Sequence, residues 1–305
     1  MTLGDLKKAY LDKKIPKDVY IEKMFELHKQ LFAYSKFIKN TDIERIEIST
    51  STVIVTTSEE IKLIIDEVDR RLAPVEILNF GSYEKSETEM ILQLAKDTTT
   101  VFDIGANIGW YSLMIAKRLK NAKIFAFEPI KKTFDYLKLN IKLNSANNIK
   151  PYNLGFADSK GQKVFYLRKT QSGSASMANI QEDKGAQKVV CKIMQLDEFV
   201  KAKKLKVDFI KCDTEGSELL VFKGAKKTIL NNRPIILAEM LRKWSAKFNY
   251  HPNEIIDFLK SAGYLCFIAK NKRLKKFSQM TDSTKETNFF FLHPIKHKSE
   301  IEKLS

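Results

Sequence analysis

Val101-Phe102-Asp103-Ile104-Gly105-Ala106-Asn107-Ile108-Gly109 is the stretch that decides the fold of this chain. An apolar run ends near an acid, two glycines follow four positions apart, and helical spacing begins directly afterwards. Glycine tolerates left-handed backbone and close neighbours, so Gly105 suits a tight turn that lets backbone approach a ligand. Gly109 suits close packing of the following helix on the strand. A dinucleotide-binding turn would read G-x-G-x-x-G and aim backbone amides at a pyrophosphate. Here position 107 is Asn, and Asp103 would repel a pyrophosphate. An acid beside the turn suits a ligand with an amino and a sulfonium group, which argues against a nicotinamide dinucleotide and a dehydrogenase.

Nineteen residues beyond Gly109 a second apolar run closes on Phe127-Glu128-Pro129, where Glu128 can accept hydrogen bonds from two ribose hydroxyls. S-adenosylmethionine meets both requirements. Outward from this pair, apolar runs and helical spacing alternate, predicting strands at 99–103, 123–128, 149–154, 207–212 and 234–239. Amphipathic helices are expected at 108–120, 130–144 and 217–231. The alternation predicts an α/β fold built on a doubly wound, mostly parallel sheet. Pro252 opens a further helix that Gly263 ends, and Tyr264–Ala269 and Asn288–Leu292 read as late strands, the last one antiparallel because its connection is short.

Upstream, apolar residues at helical spacing lie on both sides of Pro16, and β-branched runs from Ile43 to Ile65 read as two or three antiparallel strands. Ser86 and Glu89 have capping-box spacing and open the main domain. The expected division is a helical extension at 1–40, a small β unit at 41–85, the main domain at 86–295 and a charged tail at 296–305. Ser172 to Ser176 reads as a small-residue loop suited to moving over a site.

Of the 305 residues 44% are hydrophobic, enough for one sizeable core plus an extension. Lys and Arg total 53 against 37 Asp and Glu, a formal charge of +16 that favours acidic partners, although the lysines are dispersed rather than clustered. Cys191, Cys212 and Cys266 are odd in number and widely spaced, and no Cys/His pair has a zinc interval. The first twenty residues lack an apolar signal core, and no apolar run is long enough to span a membrane, so the expectation is a reduced, cytoplasmic protein.

Three segments resemble the FkbM family of class I methyltransferases: Phe102 to Ser112, Phe127-Glu128-Pro129, and Ile210-Lys211-Cys212-Asp213-Thr214-Glu215-Gly216-Ser217-Glu218. Gly224-Ala225, Arg233 to Ile236 and Glu239 are similar as well, and Gly81-Ser82-Tyr83-Glu84 looks like the segment whose acid lies near the cofactor. The resemblance runs from about Gly81 to Leu292. It implies a Rossmann-like, seven-stranded sheet with the last strand antiparallel, bound S-adenosylmethionine, and methyl transfer, commonly to an oxygen of a sugar, polyketide or related small molecule. Residues 1–80 lie outside it.

The cofactor contacts expected are Glu84, Asp103, Gly105, Ala106, Asn107, Gly109, Glu128, Pro129, Asp158 and Asp213. Parallel sheets bind ligands beyond the carboxyl ends of their strands, so Asp213 is the candidate to orient or deprotonate the acceptor, with Glu239 beside it. His251 is the one histidine close enough to the fifth strand to be a general base. Asp213, Glu215 and Glu239 can alternatively hold a divalent metal, the less favoured reading. Glu218 reads as a helix-capping acid. Arg242, Lys243 and Trp244 can hold an acidic or sugar-like acceptor, or cover the sheet edge.

Two other functions compete. A nucleic-acid methyltransferase would suit the charge, but it would usually show a base-flipping Asn/Asp-Pro-Pro-aromatic turn or a catalytic cysteine loop, and neither is present. A methyltransferase-like domain kept as a non-catalytic scaffold would act through residues 1–80. The apolar stripe of that extension can pack on its own domain or make a homodimer.

Overall fold

The computed structural model describes residues 1–305. A helical hairpin, α1 (Leu3–Leu11) and α2 (Lys17–Phe37), leads into a three-stranded antiparallel sheet of β1 (Ile43–Ile48), β2 (Val53–Thr57) and β3 (Lys62–Ile65). Helices α3 (Ala73–Phe80) and α4 (Lys85–Leu94) precede the alternating part, β4 (Thr100–Ile104), α5 (Trp110–Arg118), β5 (Lys123–Phe127), α6 (Lys131–Leu143) and β6 (Ile149–Tyr152). The chain then builds β7 (Gly155–Phe156), β8 (Gly161–Arg168), β9 (Gln171–Ser176) and β10 (Gln187–Met194). It returns through α7 (Leu196–Lys203), β11 (Phe209–Cys212), α8 (Glu218–Lys223), α9 (Lys226–Asn232) and β12 (Ile235–Glu239). The last elements are α10 (Arg242–Ser245), α11 (Asn253–Ser261), β13 (Leu265–Lys270), β14 (Arg273–Phe277), β15 (Asn288–Leu292) and α12 (Lys298–Leu304).

The main sheet has eight strands in the order β14-β13-β15-β12-β11-β4-β5-β6. From β12 to β6 all neighbours are parallel, whereas β15 runs antiparallel to both β12 and β13. The expected seven strands are therefore present, with β14 added at the edge. Asn271 and Lys272 both have positive φ, the two-residue turn geometry that folds β14 back on β13.

Strand alternation sorts the core into two layers. Val101, Ile124, Phe209 and Leu237 face one side, under α4, α5, α6 and the small sheet, which contributes Val55 and Leu63. Phe102, Ile104, Ile210, Cys212 and Ile236 face the other, under α7, α8, α9 and α11. The open edge of β3 is closed by side chains of α6, since Asn144 Oδ1 and Asn140 Oδ1 accept from Lys62 N and Ile64 N at 2.8 and 3.1 Å.

Three local readings change. Ser172 to Ser176 is not a loop but part of β9, in a four-stranded sheet ordered β7-β10-β8-β9. Pairing of Gln171 with Arg168 and Ser176 with Tyr166, and donation from Ser172 N to Asp69 Oδ2 at 2.6 Å, hold it extended. The single helix expected at 217–231 breaks into α8 and α9, because Asp197 accepts from Lys227 N and Thr228 N and starts a second helix there. Within the charged tail α12 forms and buries Leu304 against the sheet's helix-covered face. No helix is long and apolar enough to cross a membrane.

Candidate active site

The strand order reverses direction between β4 and β11, and beyond the carboxyl ends of these strands lies a cavity of about 580 Å³. β4 delivers Gly105, Ala106 and Asn107, β5 delivers Glu128 and Pro129, β11 delivers Asp213, Thr214 and Glu215, and β12 ends there in Glu239. Glu84 enters from the start of α4, β9 forms one wall, and Lys243 and Trp244 of α10 form another.

Gly105 has φ +73°, and a Cβ on it would lie 1.7 Å from the Asp213 carbonyl oxygen. The missing side chain therefore lets the turns after β4 and β11 touch one another, while Gly105 also lines the cavity. Gly109, also left-handed, opens α5 and approaches the Leu137 side chain of α6 rather than the strand. Glu84, Asn107 and Glu215 are left-handed without being glycine.

Glu128 is almost fully buried and accepts from Asn107 N at 3.0 Å and Ile130 N at 2.9 Å. Burial outweighs these bonds and pushes its carboxyl up to about 7. Each carboxylate oxygen keeps a further acceptor position. Glu84 is likewise raised to about 7, by burial first and by the charge of Asp213 among its neighbours.

Asp213, Glu215 and Glu239 converge so that one carboxylate oxygen from each lies within 4.8 Å of the others. Burial, followed by the Asp213 charge, drives the carboxyls of Glu215 and Glu239 well above the ordinary range. The balancing cation is Lys211, only 5% exposed, whose Nζ donates to Gly105 O at 2.9 Å and Asp213 Oδ2 at 3.3 Å and stands 3.6 Å from Asp103 Oδ1. Burial alone would lower its pKa, but the surrounding carboxylates leave it above its ordinary value. The turn itself is stapled by Glu218, whose Oε1 accepts from Thr214 N, Thr214 Oγ1 and Gly216 N at 2.7, 3.0 and 3.2 Å.

Among the residues singled out in the sequence, Glu84, Gly105, Ala106, Asn107, Glu128, Pro129, Asp213, Glu215 and Glu239 line the cavity together. Four others do not. Asp103 sits opposite Lys211 in the β4–β11 register, 1% exposed, and accepts from Ser112 Oγ at 2.6 Å, so its charge is spent on the scaffold rather than on a ligand. Gly109 lies one turn behind the lining. Asp158 is exposed off the cavity, its carbonyl bonded by Gln195. His251 is exposed at the start of α11, where its Nδ1 accepts from Asn253 N at 3.2 Å; the Pro252 bend directs it to solvent instead of to the acids.

Lys211 is the residue of this cavity that sequence reasoning passed over. A signal existed, a lone lysine in the apolar run Phe209-Ile210-Lys211-Cys212, which a buried strand tolerates only with carboxylate partners. Arg71, also on the lining, carried no such mark, whereas Tyr83 stood in the Gly81–Glu84 segment already singled out.

A family profile described as Methyltransferase FkbM domain matches residues 103–266, more than half of the chain. The chain belongs to the FkbM methyltransferase family. The sheet order and its cavity are thus those of a class I, Rossmann-like methyltransferase fold, the one for which this family implies S-adenosylmethionine. Among similar proteins, Methyltransferase sdnD of Sordaria araneosa is 28% identical over 153 residues, 41% of this chain and 59% of its own. Hexuronic acid methyltransferase AglP of Haloferax volcanii is 28% identical over 142 residues, 46% of this chain and 56% of its own. The chain thus spans less than two thirds of the length of either relative. A crystal structure of Methyltransferase FkbM from Methylobacillus flagellatus superposes with a TM-score of 0.45 at 14% identity, covering 87% of this chain and 60% of that one.

Proposed function

We propose that this FkbM-family protein methylates a hydroxyl oxygen of a sugar, glycan or related small molecule, with S-adenosylmethionine as donor. The observation that carries the reading is the meeting of Asp213, Glu215 and Glu239 beside a turn that Lys211 ties to Gly105. The donor set fits the cofactor. Glu128 offers acceptors for vicinal hydroxyls at the end of β5, and Glu84 and Asp213 supply negative charge on the same cavity for a sulfonium and an ammonium group. When bound, S-adenosylmethionine supplies a methyl carbon activated by positive sulfur.

The chain's own residues do the rest. Asp213, held by Lys211, orients the acceptor hydroxyl, and Glu239 in its ionised form, beside it, takes the hydroxyl proton. Arg71 and Lys243 put cations on the same lining, and Trp244 a half-buried aromatic face, which suits an acidic sugar. The relative named as a hexuronic acid methyltransferase supports that class of acceptor.

Calorimetry with S-adenosylmethionine and mass spectrometry of sugar acid acceptors test the reading together. Asp213→Asn and Glu239→Gln should each lower kcat by roughly 10²–10⁴-fold, with the Glu239→Gln variant keeping its cofactor affinity. A Glu239→Gln enzyme with unchanged kcat would remove Glu239 from the proton transfer. The same three carboxylates also support a second reading, in which they hold a divalent cation that lowers the hydroxyl pKa. Full activity after exhaustive EDTA treatment would dispose of the cation.

A further inference from the structure

α2 is 21 residues long and buries none of them. Its companion α1 has 9 residues, so at 1.5 Å per residue it reaches along about 14 Å of a helix of about 32 Å. α1 meets α2 where the Tyr10 ring stacks on Tyr20 at 4.5 Å between centroids, and Leu6 of α1 is buried. Three apolar side chains of α2, Ile21, Phe25 and Phe32, form a separate stripe at intervals of four and seven, the 3.5-residue repeat of helices that pack on helices. All three are more than half exposed, as are Leu31, Tyr34 and Phe37 in the half that α1 does not reach.

We infer that this arm pairs with α2 of a second copy of the chain, antiparallel, so that two helical hairpins close into a four-helix bundle. Charge sets the direction. The first half of α2 carries Asp18, Glu22 and Glu26 with Lys17 and Lys23, a net negative charge, whereas from Leu27 to Asn40 there is no acid and there are three lysines, Lys29, Lys36 and Lys39. A two-fold axis between His28 and Lys29 sets Phe25 against the partner's Phe32 and brings Asp18 and Glu22 beside the partner's Lys36 and Lys39. Parallel pairing would set acids beside acids and lysines beside lysines, and it would leave the half beyond α1 uncovered in both copies.

An aromatic side chain offers roughly 200 Å² when fully exposed, so the three stripe positions bring on the order of 300 Å² per copy to the centre of the contact. The inference concerns assembly alone and stands apart from the methyl-transfer reading.

Sedimentation of the full chain at tens of micromolar should show a dimer. Phe25→Lys with Phe32→Lys should sediment as a monomer whose circular dichroism spectrum and S-adenosylmethionine affinity match the wild type. Glu22→Lys should weaken the dimer about tenfold, and Glu22→Lys combined with Lys36→Glu should restore it. Failure of that restoration overturns the antiparallel pairing. A wild-type chain that stays monomeric overturns the proposal, as does a monomer that binds phosphatidylserine vesicles through Phe25 and Phe32, which would make a membrane surface the occupant.

Discussion

The turn after β11 and the helix α2 invert the usual placement of side chains. In the turn, charges go inside: Lys211 and Glu218 are buried, and each is hydrogen-bonded several times over. In α2, apolar groups go outside: Phe25 and Phe32 face solvent, and no residue of the helix is buried. Buried charge persists only where partners repay its desolvation, so the turn is rigid and complete within the chain. Exposed apolar area of this extent marks a surface that binds something else. The two regions therefore answer different kinds of mutation.

The largest effect is expected at Lys211. Lys211→Met leaves Asp103 and Asp213 without the cation they share, and it should cost about 3–5 kcal/mol of unfolding free energy in a denaturant titration. A loss below 1 kcal/mol would mean that the carboxylates find other partners, and the contrast with α2 would collapse.

A smaller effect should appear with pH. Glu84, Glu128 and Glu218 are raised to about 7 from an ordinary 4.5, chiefly by burial. The native state thus keeps protons that the unfolded chain has released, a contribution that is complete below 4.5 and lost as pH rises through about 7. His293 and His297 act oppositely, lowered from 6.5, and their contribution is already full above that pH. From pH 6.5 to about 7 the ligand-free Tm should therefore fall, and Glu218→Gln should flatten its share of that slope. A Tm that rises over this window would contradict the buried acids.

The smallest effect on stability belongs to α2. Replacing Phe25 and Phe32 by serine should change unfolding free energy by no more than about 0.5 kcal/mol when measured where the chain is monomeric. A larger loss would show that the helix packs on its own domain, and the comparison would be sharpened in favour of a single closed unit.

Much of the site was legible because its residues act through local constraints. Gly105 and Gly109 announce left-handed turns, Glu128-Pro129 ends a strand, and strands that alternate with helices must place their carboxyl ends together. His251 and Asp158 misled because nearness in sequence to a strand end says nothing about direction once a proline or a turn intervenes. The four-stranded sheet of β7 to β10 was not foreseen, since β9 is made of serine, glycine and alanine and owes its extension to partners far along the chain.

What the sequence by itself determined is the α/β alternation, the order of the ligand-bearing turns and the apolar stripes of the arm, all set by periodicity and backbone sterics within a few residues. Only the tertiary structure decided how charge is distributed. Asp103, read as facing a cationic ligand, faces Lys211 across the β4–β11 register, and Glu239 joins Asp213 because β12 lies beside β11. Strand register and sheet order are long-range choices, and the strength of an electrostatic contact depends on which groups those choices bring together away from water.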